Sequence, residues 1–390
     1  MTEGKLFKCP SCGSALSPQG DATEIKCPYC GNTVIVPEEL REPTERPALG
    51  QTAAPATGGS SILGIVIGVA ILLVIVAAVL FGALSGSGGS KPAPVAKVLP
   101  SPTLAGFAHV VLSFGGEGTA PGLFQDARHI AADPDGNMYV DDYRTMRVQR
   151  FDPTGKYVSS WNVDANLCSN KSATLDTLAV DRAGSVYIHF CGSILKYDGS
   201  TGKLLAQFTG DKNTPRDFYM GEVLYPDGGM LVLADGAPAA NEVLLHLDAN
   251  GKVLARVPNP VSDQSPKRPA DALTLDPAMD GLGNIFLLNT DDYAIYVFTP
   301  DGKYVNKFGS VGTGTGQFDT WAQHIAIDNQ SRVYVTDFSG IKVFDAHGAY
   351  LESMSDRSII GIQEMRINDK NEIYLVAGKS MIYKLALNGK

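Results

Sequence analysis

From about position 108 to the C-terminus the chain repeats one unit six times, and no other feature constrains its fold as tightly. Each unit is an apolar strand ending in Asp, a turn, a second strand, a third strand, a Gly-Lys turn and a fourth strand. The first copy is HIAADPDGNMYVDDYRTMRVQRFDPTGKYVSSW (129–161) and the fifth is HIAIDNQSRVYVTDFSGIKVFDAHGAYLESM (324–354). A spacing of about 40 to 50 residues suits a four-stranded blade, and short runs of Val, Ile, Tyr and Phe read as strands. The Asp that ends the first strand is read at Asp133, Asp181, Asp276 and Asp328, with Tyr225 and Asn368 in its place elsewhere. The turn before the fourth strand is Gly155-Lys156, Gly202-Lys203, Gly251-Lys252, Gly302-Lys303 and Gly389-Lys390, with Gly348-Ala349 the exception.

The sixth copy stops before its fourth strand, while a matching strand, Val110 to Phe114, stands ahead of the first copy. The expected architecture is therefore an all-β, six-bladed propeller closed by its N-terminal strand, which leaves no open sheet edge. The pattern FGxxGxGxGxF, then an apolar strand with Asp, then YVxD, then VFDxxGxY resembles the NHL repeat over residues 108–390. That resemblance implies the fold far more than a function, since such propellers host binding modules and a few enzymes.

Ahead of the repeats lies ILGIVIGVAILLVIVAAVLFGAL, Ile62 to Leu84, without a charged side chain. At about 1.5 Å per residue such a helix crosses a roughly 30 Å hydrocarbon core, so a single-pass transmembrane helix is expected. Gly64 and Gly68 form a GxxxG that is either a weak dimer seam or a chance of composition. The expected domain order is a zinc ribbon (1–36), a linker (37–61), the transmembrane helix (62–84), a second linker (85–107) and the propeller (108–390).

Cys9-Pro-Ser-Cys12-Gly and Cys27-Pro-Tyr-Cys30-Gly are two copies of one metal-binding device and resemble a zinc ribbon. Four thiolates on two tight turns match tetrahedral Zn²⁺; a redox pair or disulfides are the alternatives. Thiolates persist in a reducing compartment, so the N-terminus is expected in the cytoplasm and the propeller outside, at the cell membrane. Cys168 and Cys191, in the second blade, are expected as a disulfide or as two buried thiols. The first hundred residues balance seven basic against seven acidic residues, so the net charge of −9 belongs to the propeller. That charge argues against nucleic-acid binding.

In a meander the long loops gather on one face, where binding usually sits. At the mouth of the channel on that face, four positions before the repeat Asp, stand His129, Thr177, Gly221, Ala272, His324 and Glu364. His129, His324 and Glu364 come from blades that adjoin in a closed ring. They could hold a divalent metal, or they line a water-filled channel and bond to one another. Arg128, Asp141, Tyr143 and Asp292 complete the candidate ligand surface. Asp142 and Asp337, at the YVxD position, are read as partners of loop amides. No P-loop, dinucleotide fingerprint, HExxH or nucleophile elbow is present. These features together read as a membrane-anchored module that recognises a protein, peptide or glycan, and less as an enzyme. The alternative is a lyase- or lactonase-like enzyme with a channel metal.

Overall fold

A computed structural model describes residues 7–8, 15–16, 22–27, 33–36, 106–168, 175–209, 218–224, 228–235, 241–266, 269–355, 359 and 361–388. Six four-stranded antiparallel sheets account for most of them, each a meander in which consecutive strands pair. The innermost strands are Ala127–Ala132, Leu175–Val180, Phe218–Leu224, Leu275–Met279, Ile325–Ile327 and Ile362–Ile367. Each packs beside the next, and the sixth packs beside the first, so the blades form a closed ring. The sixth blade is completed from the other end of the propeller. Ala108–Gly115 pairs with Met381–Leu387, in a register that sets Gly115 opposite Met381 and Ala108 opposite Leu387.

The two-residue period of a strand explains how blades adhere. In the second strand of the first blade, Tyr139 packs in a core with Leu178 and Val186 of blade two, whereas its neighbour Val140 packs with Tyr374 and Val376 of blade six. The same alternation recurs at Tyr187 and Ile188, at Phe286 and Leu287, at Tyr334 and Val335, and at Tyr374 and Leu375. One aromatic residue therefore reaches forward and one aliphatic residue reaches back, and every apolar core of the propeller belongs to two blades. The glycine-rich passages between blades serve the same cores. After FGGEG the chain turns back so that the Phe124 amide bonds the Gly116 carbonyl, which drives the fully buried Phe124 ring into the blade six–blade one core. Phe318 does the same between blades four and five.

The turn after each first strand is held by one carboxylate or amide side chain. Asp133, Asp181, Asp328 and Asn368 each accept from the backbone N–H four residues on. In blade four that role belongs to Asp280, which accepts from the Leu282 and Asn284 amides, and not to Asp276 as the sequence reading assigned. The signal was present: Asp280-Gly-Leu-Gly-Asn284 has the spacing of Asp133-Pro-Asp-Gly-Asn137. The shift of four residues moves Asp276 to the channel-mouth position and displaces Ala272 into a 3-10 turn.

Near the N-terminus, Phe7–Lys8 pairs with Ala15–Leu16 and Glu24–Lys26 pairs with Thr33–Ile35, giving two small hairpins. Cys27 is buried with Leu16 and Val34, while Cys9, Cys12 and Cys30 lie outside the described residues. Among the described residues no three His, Cys, Asp or Glu side chains are grouped so as to hold a metal ion. The zinc-ribbon assignment is therefore reduced to two described hairpins, the expected zinc site on Cys9, Cys12, Cys27 and Cys30 having only Cys27 among the described residues. The expected membrane span at 62–84, with Gly64 and Gly68, also lies outside the described residues. Among those described, no helix is long and apolar enough to cross a membrane. The single-pass topology, the membrane partnership and the localisation on two sides of a membrane all required that span, and without a described helix to support it they are withdrawn.

Candidate functional site

The innermost strands of blades one, four, five and six bring His129, Asp276, His324, Glu364 and Arg366 together around the channel. His324 Nδ1 lies 3.5 Å from Glu364 Oε1 and 3.8 Å from Asp276 Oδ2. Arg366 Nη1 forms an ion pair with Glu364 Oε1 at 2.9 Å, and Asp276 Oδ2 also accepts the Ile325 amide at 2.9 Å. His129 is anchored from behind. The fully buried Asp141 carboxylate lies 2.6 Å from its Nδ1 and accepts its backbone amide at 2.9 Å. A shift in register between Ala127 and Ile130 frees these amides from the strand ladder and turns them toward Asp141.

Burial and mutual charge push the members of this cluster in different directions. Burial lowers the His324 imidazole to about 4; Asp276 works against that fall, and the charges of Arg366 and His129 add to it. His129 is buried too, but the Asp141 carboxylate outweighs burial and holds its imidazolium above the ordinary histidine range. Burial raises Asp276 to about 6 and raises Glu364 as well, with Arg366 opposing both. The channel thus holds one imidazole pushed toward its neutral form beside one pushed toward its charged form, with two carboxyl groups pushed toward protonation. Separated titrations of this kind are what acid–base chemistry needs.

A divalent ion would require Glu364 and the two imidazoles as donors. Glu364 instead carries the Arg366 guanidinium, a permanent cation, and His129 directs Nδ1 to Asp141. The Arg366 guanidinium already supplies at Glu364 the positive charge a metal would bring, while a carboxylate behind Nδ1 is an arrangement that metal-bound histidines also have.

The remaining candidates lie apart from this cluster. Arg128 pairs with Asp126 and stacks 3.9 Å over the Tyr143 ring. Asp292 accepts from the Tyr296 hydroxyl and from Lys307 Nζ, each at 2.7 Å, on the outer strands of blade four. These contacts engage Arg128, Tyr143 and Asp292 within the fold. Asp142 and Asp337 accept loop amides from Gln125 and Asp319. Thr177, at the channel-mouth position of blade two, is buried, and its hydroxyl has no hydrogen-bond partner among the described residues. Cys168 and Cys191 are bridged, with Cα atoms 5.7 Å apart. Sequence reasoning missed Asp276 through the misplaced repeat register, and Arg366 because it occupies a position that carries no charge in the other blades.

On the short-turn side the channel opens into a cavity of about 930 Å³, lined by residues of all six blades and by Arg366.

A family model described as a 6-bladed beta-propeller matches residues 279–376. That match corrects the NHL assignment to the broader propeller class. No curated protein matches this chain. Among solved structures, a gluconolactonase from Xanthomonas campestris is similar at 15% identity and a TM-score of 0.50, covering 78% of this chain and 99% of its own. A streptogramin B lyase aligns at 13% identity and a TM-score of 0.49, covering 73% of this chain and 98% of its own. At such identities the likeness is one of fold alone. The expectation of a membrane-anchored recognition scaffold, more binding module than enzyme, is nonetheless overturned. No described helix provides the anchor, and the channel gathers titratable groups with shifted protonation, a feature on which an enzymatic reading can be built.

Proposed function

We propose that the channel cluster is the acid–base centre of an enzyme that hydrolyses a C–O bond of an ester or lactone. The observation that carries this reading is the convergence of His324 and His129 on one carboxylate–guanidinium pair, with the first imidazole pushed below and the second above the ordinary histidine range. The carboxylates of Glu364 and Asp276 face Nδ1 of His324, which favours the tautomer with the proton on Nδ1 and leaves Nε2 to accept. His324 takes a proton from water as the water oxygen bonds to the carbonyl carbon. The carbonyl oxygen gains charge beside Arg366, which stabilises it. Collapse of the adduct breaks the C–O bond, and the His129 imidazolium donates its proton to the departing oxygen. The products are a carboxylic acid, which ionises, and an alcohol; the protons held by His324 and by the acid go to solvent, and His129 regains one from it. The solved gluconolactonase and streptogramin B lyase lend this reading a shared fold and nothing finer.

The test is acid release from a panel of lactones and aryl esters, gluconolactone included, followed with a pH indicator. His324→Ala and His129→Ala should each lower kcat/KM by about 10²- to 10⁴-fold. Turnover of no compound in the panel, or turnover that survives both substitutions, would refute the proposal.

A further inference from the structure

The cavity on the short-turn side is as informative as the cluster behind it. Its accessible wall carries Ala132, Ala179, Val180, Met279, Ile327 and Ile367, so most of what a ligand would meet there is hydrocarbon. Four carboxylates stand around it, and each is already engaged. Asp181 holds the Ser185 amide and the Tyr187 hydroxyl, and Asp280 holds the Leu282 and Asn284 amides. Asp328 holds Arg332 and the Tyr334 hydroxyl, and Asp369 faces Arg182 at 3.4 Å. Of the other cations lining the cavity, Lys196 lies against Asp181 and over the Tyr187 ring.

Arg366 differs from all of these. It lies two residues deeper than the Asn368 turn on the same strand, or about 6–7 Å at strand rise. Among the described residues its ion pair with Glu364 and its hydrogen bond to the Met365 carbonyl are both made by Nη1. Nε and Nη2 remain to face a ligand, and a planar guanidinium edge matches a carboxylate.

We infer that this cavity binds an organic acid with an aliphatic body, its carboxylate on Arg366 and its chain along the apolar wall. For the enzyme, such a molecule is the product of cleaving an aliphatic lactone or ester, so the substrate class is aliphatic and not a polyol. It enters from the face of the short turns, opposite the long loops. The chemistry of this inference rests on the acid–base reading above, but binding does not, and the two fail separately.

The experiment uses the full chain and three probes: octanoate, which is anionic and aliphatic; octanol, which is aliphatic and uncharged; and gluconate, which is anionic and hydroxylated. Calorimetry should give a one-to-one octanoate isotherm, with octanol and gluconate each at least tenfold weaker. Arg366→Gln should weaken octanoate at least tenfold, and Val180→Trp, which fills the cavity without touching Arg366, should do the same. His324→Ala, dead in the hydrolysis assay, should bind octanoate as the unsubstituted chain does. Absent octanoate binding, gluconate binding as tight as octanoate, or an unchanged affinity in Arg366→Gln would each overturn the inference. If Val180→Trp loses its cooperative melt, the probe series and Arg366→Gln decide the matter.

Discussion

Asp141 serves three donors with one carboxylate: the Arg128 and His129 amides and the His129 ring. Asp141→Asn keeps the shape and removes the charge that holds the imidazolium. The His129 titration, followed by NMR, should then fall below the ordinary histidine value, and stability should drop by about 3 kcal/mol for a broken buried pair. An unmoved titration would show that Asp141 is not what charges His129. A second residue-scale prediction concerns pH. Asp276, raised from 3.8 to about 6, binds a proton more readily folded than unfolded, so its contribution makes stability fall between about pH 4 and 6. His324, lowered from 6.5 to about 4, binds one less readily, so its contribution makes stability rise over nearly the same window. The two slopes oppose each other in the natural chain. Relative to it, Asp276→Asn should melt at progressively higher temperature from pH 4 to 6.5, and His324→Asn at progressively lower. Parallel pH curves for all three chains would remove the coupling. His129, His324 and Glu364 were legible in the sequence because each begins a repeat at the same offset. Asp276 was obscured because an Asp-Pro inside the strand imitates the Asp that ends it. Arg366 was illegible because its role comes from meeting Glu364 in space and from no motif.

At the scale of elements, the repeat period made the blades legible, while the partners of each strand face were not. Tyr139 and Val140 are adjacent letters, yet they belong to cores on opposite sides of one sheet. The closing strand carries the same duality, with Val110 packed toward blade five and Phe114 toward blade one. A chain that begins at Pro121 should therefore leave Met381–Leu387 as a bare edge and lose its cooperative melt, whereas one that begins at Pro100 should keep it. Equal melting of the two would mean that the ring does not depend on this strand. The bridge between Cys168 and Cys191 spans 23 residues. It ties the segment entering blade two to the turn after that blade's second strand. Replacing both cysteines by serine should cost about 3 kcal/mol through the loop entropy returned to the unfolded chain, read as a lower urea midpoint with an unchanged slope.

At the scale of the whole molecule, six cores lie between six blades, and none belongs to one blade alone. A solenoid can fray from its end units because each end has a single neighbour. A closed ring has no end, so losing any blade strips two cores at once. Unfolding should accordingly be a single event wherever it is provoked. Leu375, fully buried between blades five and six, and Leu195, fully buried between blades one and two, provide the probe. Leu375→Ala and Leu195→Ala should each lower stability by about 2–5 kcal/mol through the cavity left behind. Both should shift one and the same calorimetric transition, and because they share no partners their costs should add to within about 0.5 kcal/mol. The channel centre is assembled from four different blades, so hydrolytic activity should vanish along that same curve. Two resolved transitions, or activity lost well before the fold in either variant, would show that blades yield individually and that the centre is not secured by the ring as a whole.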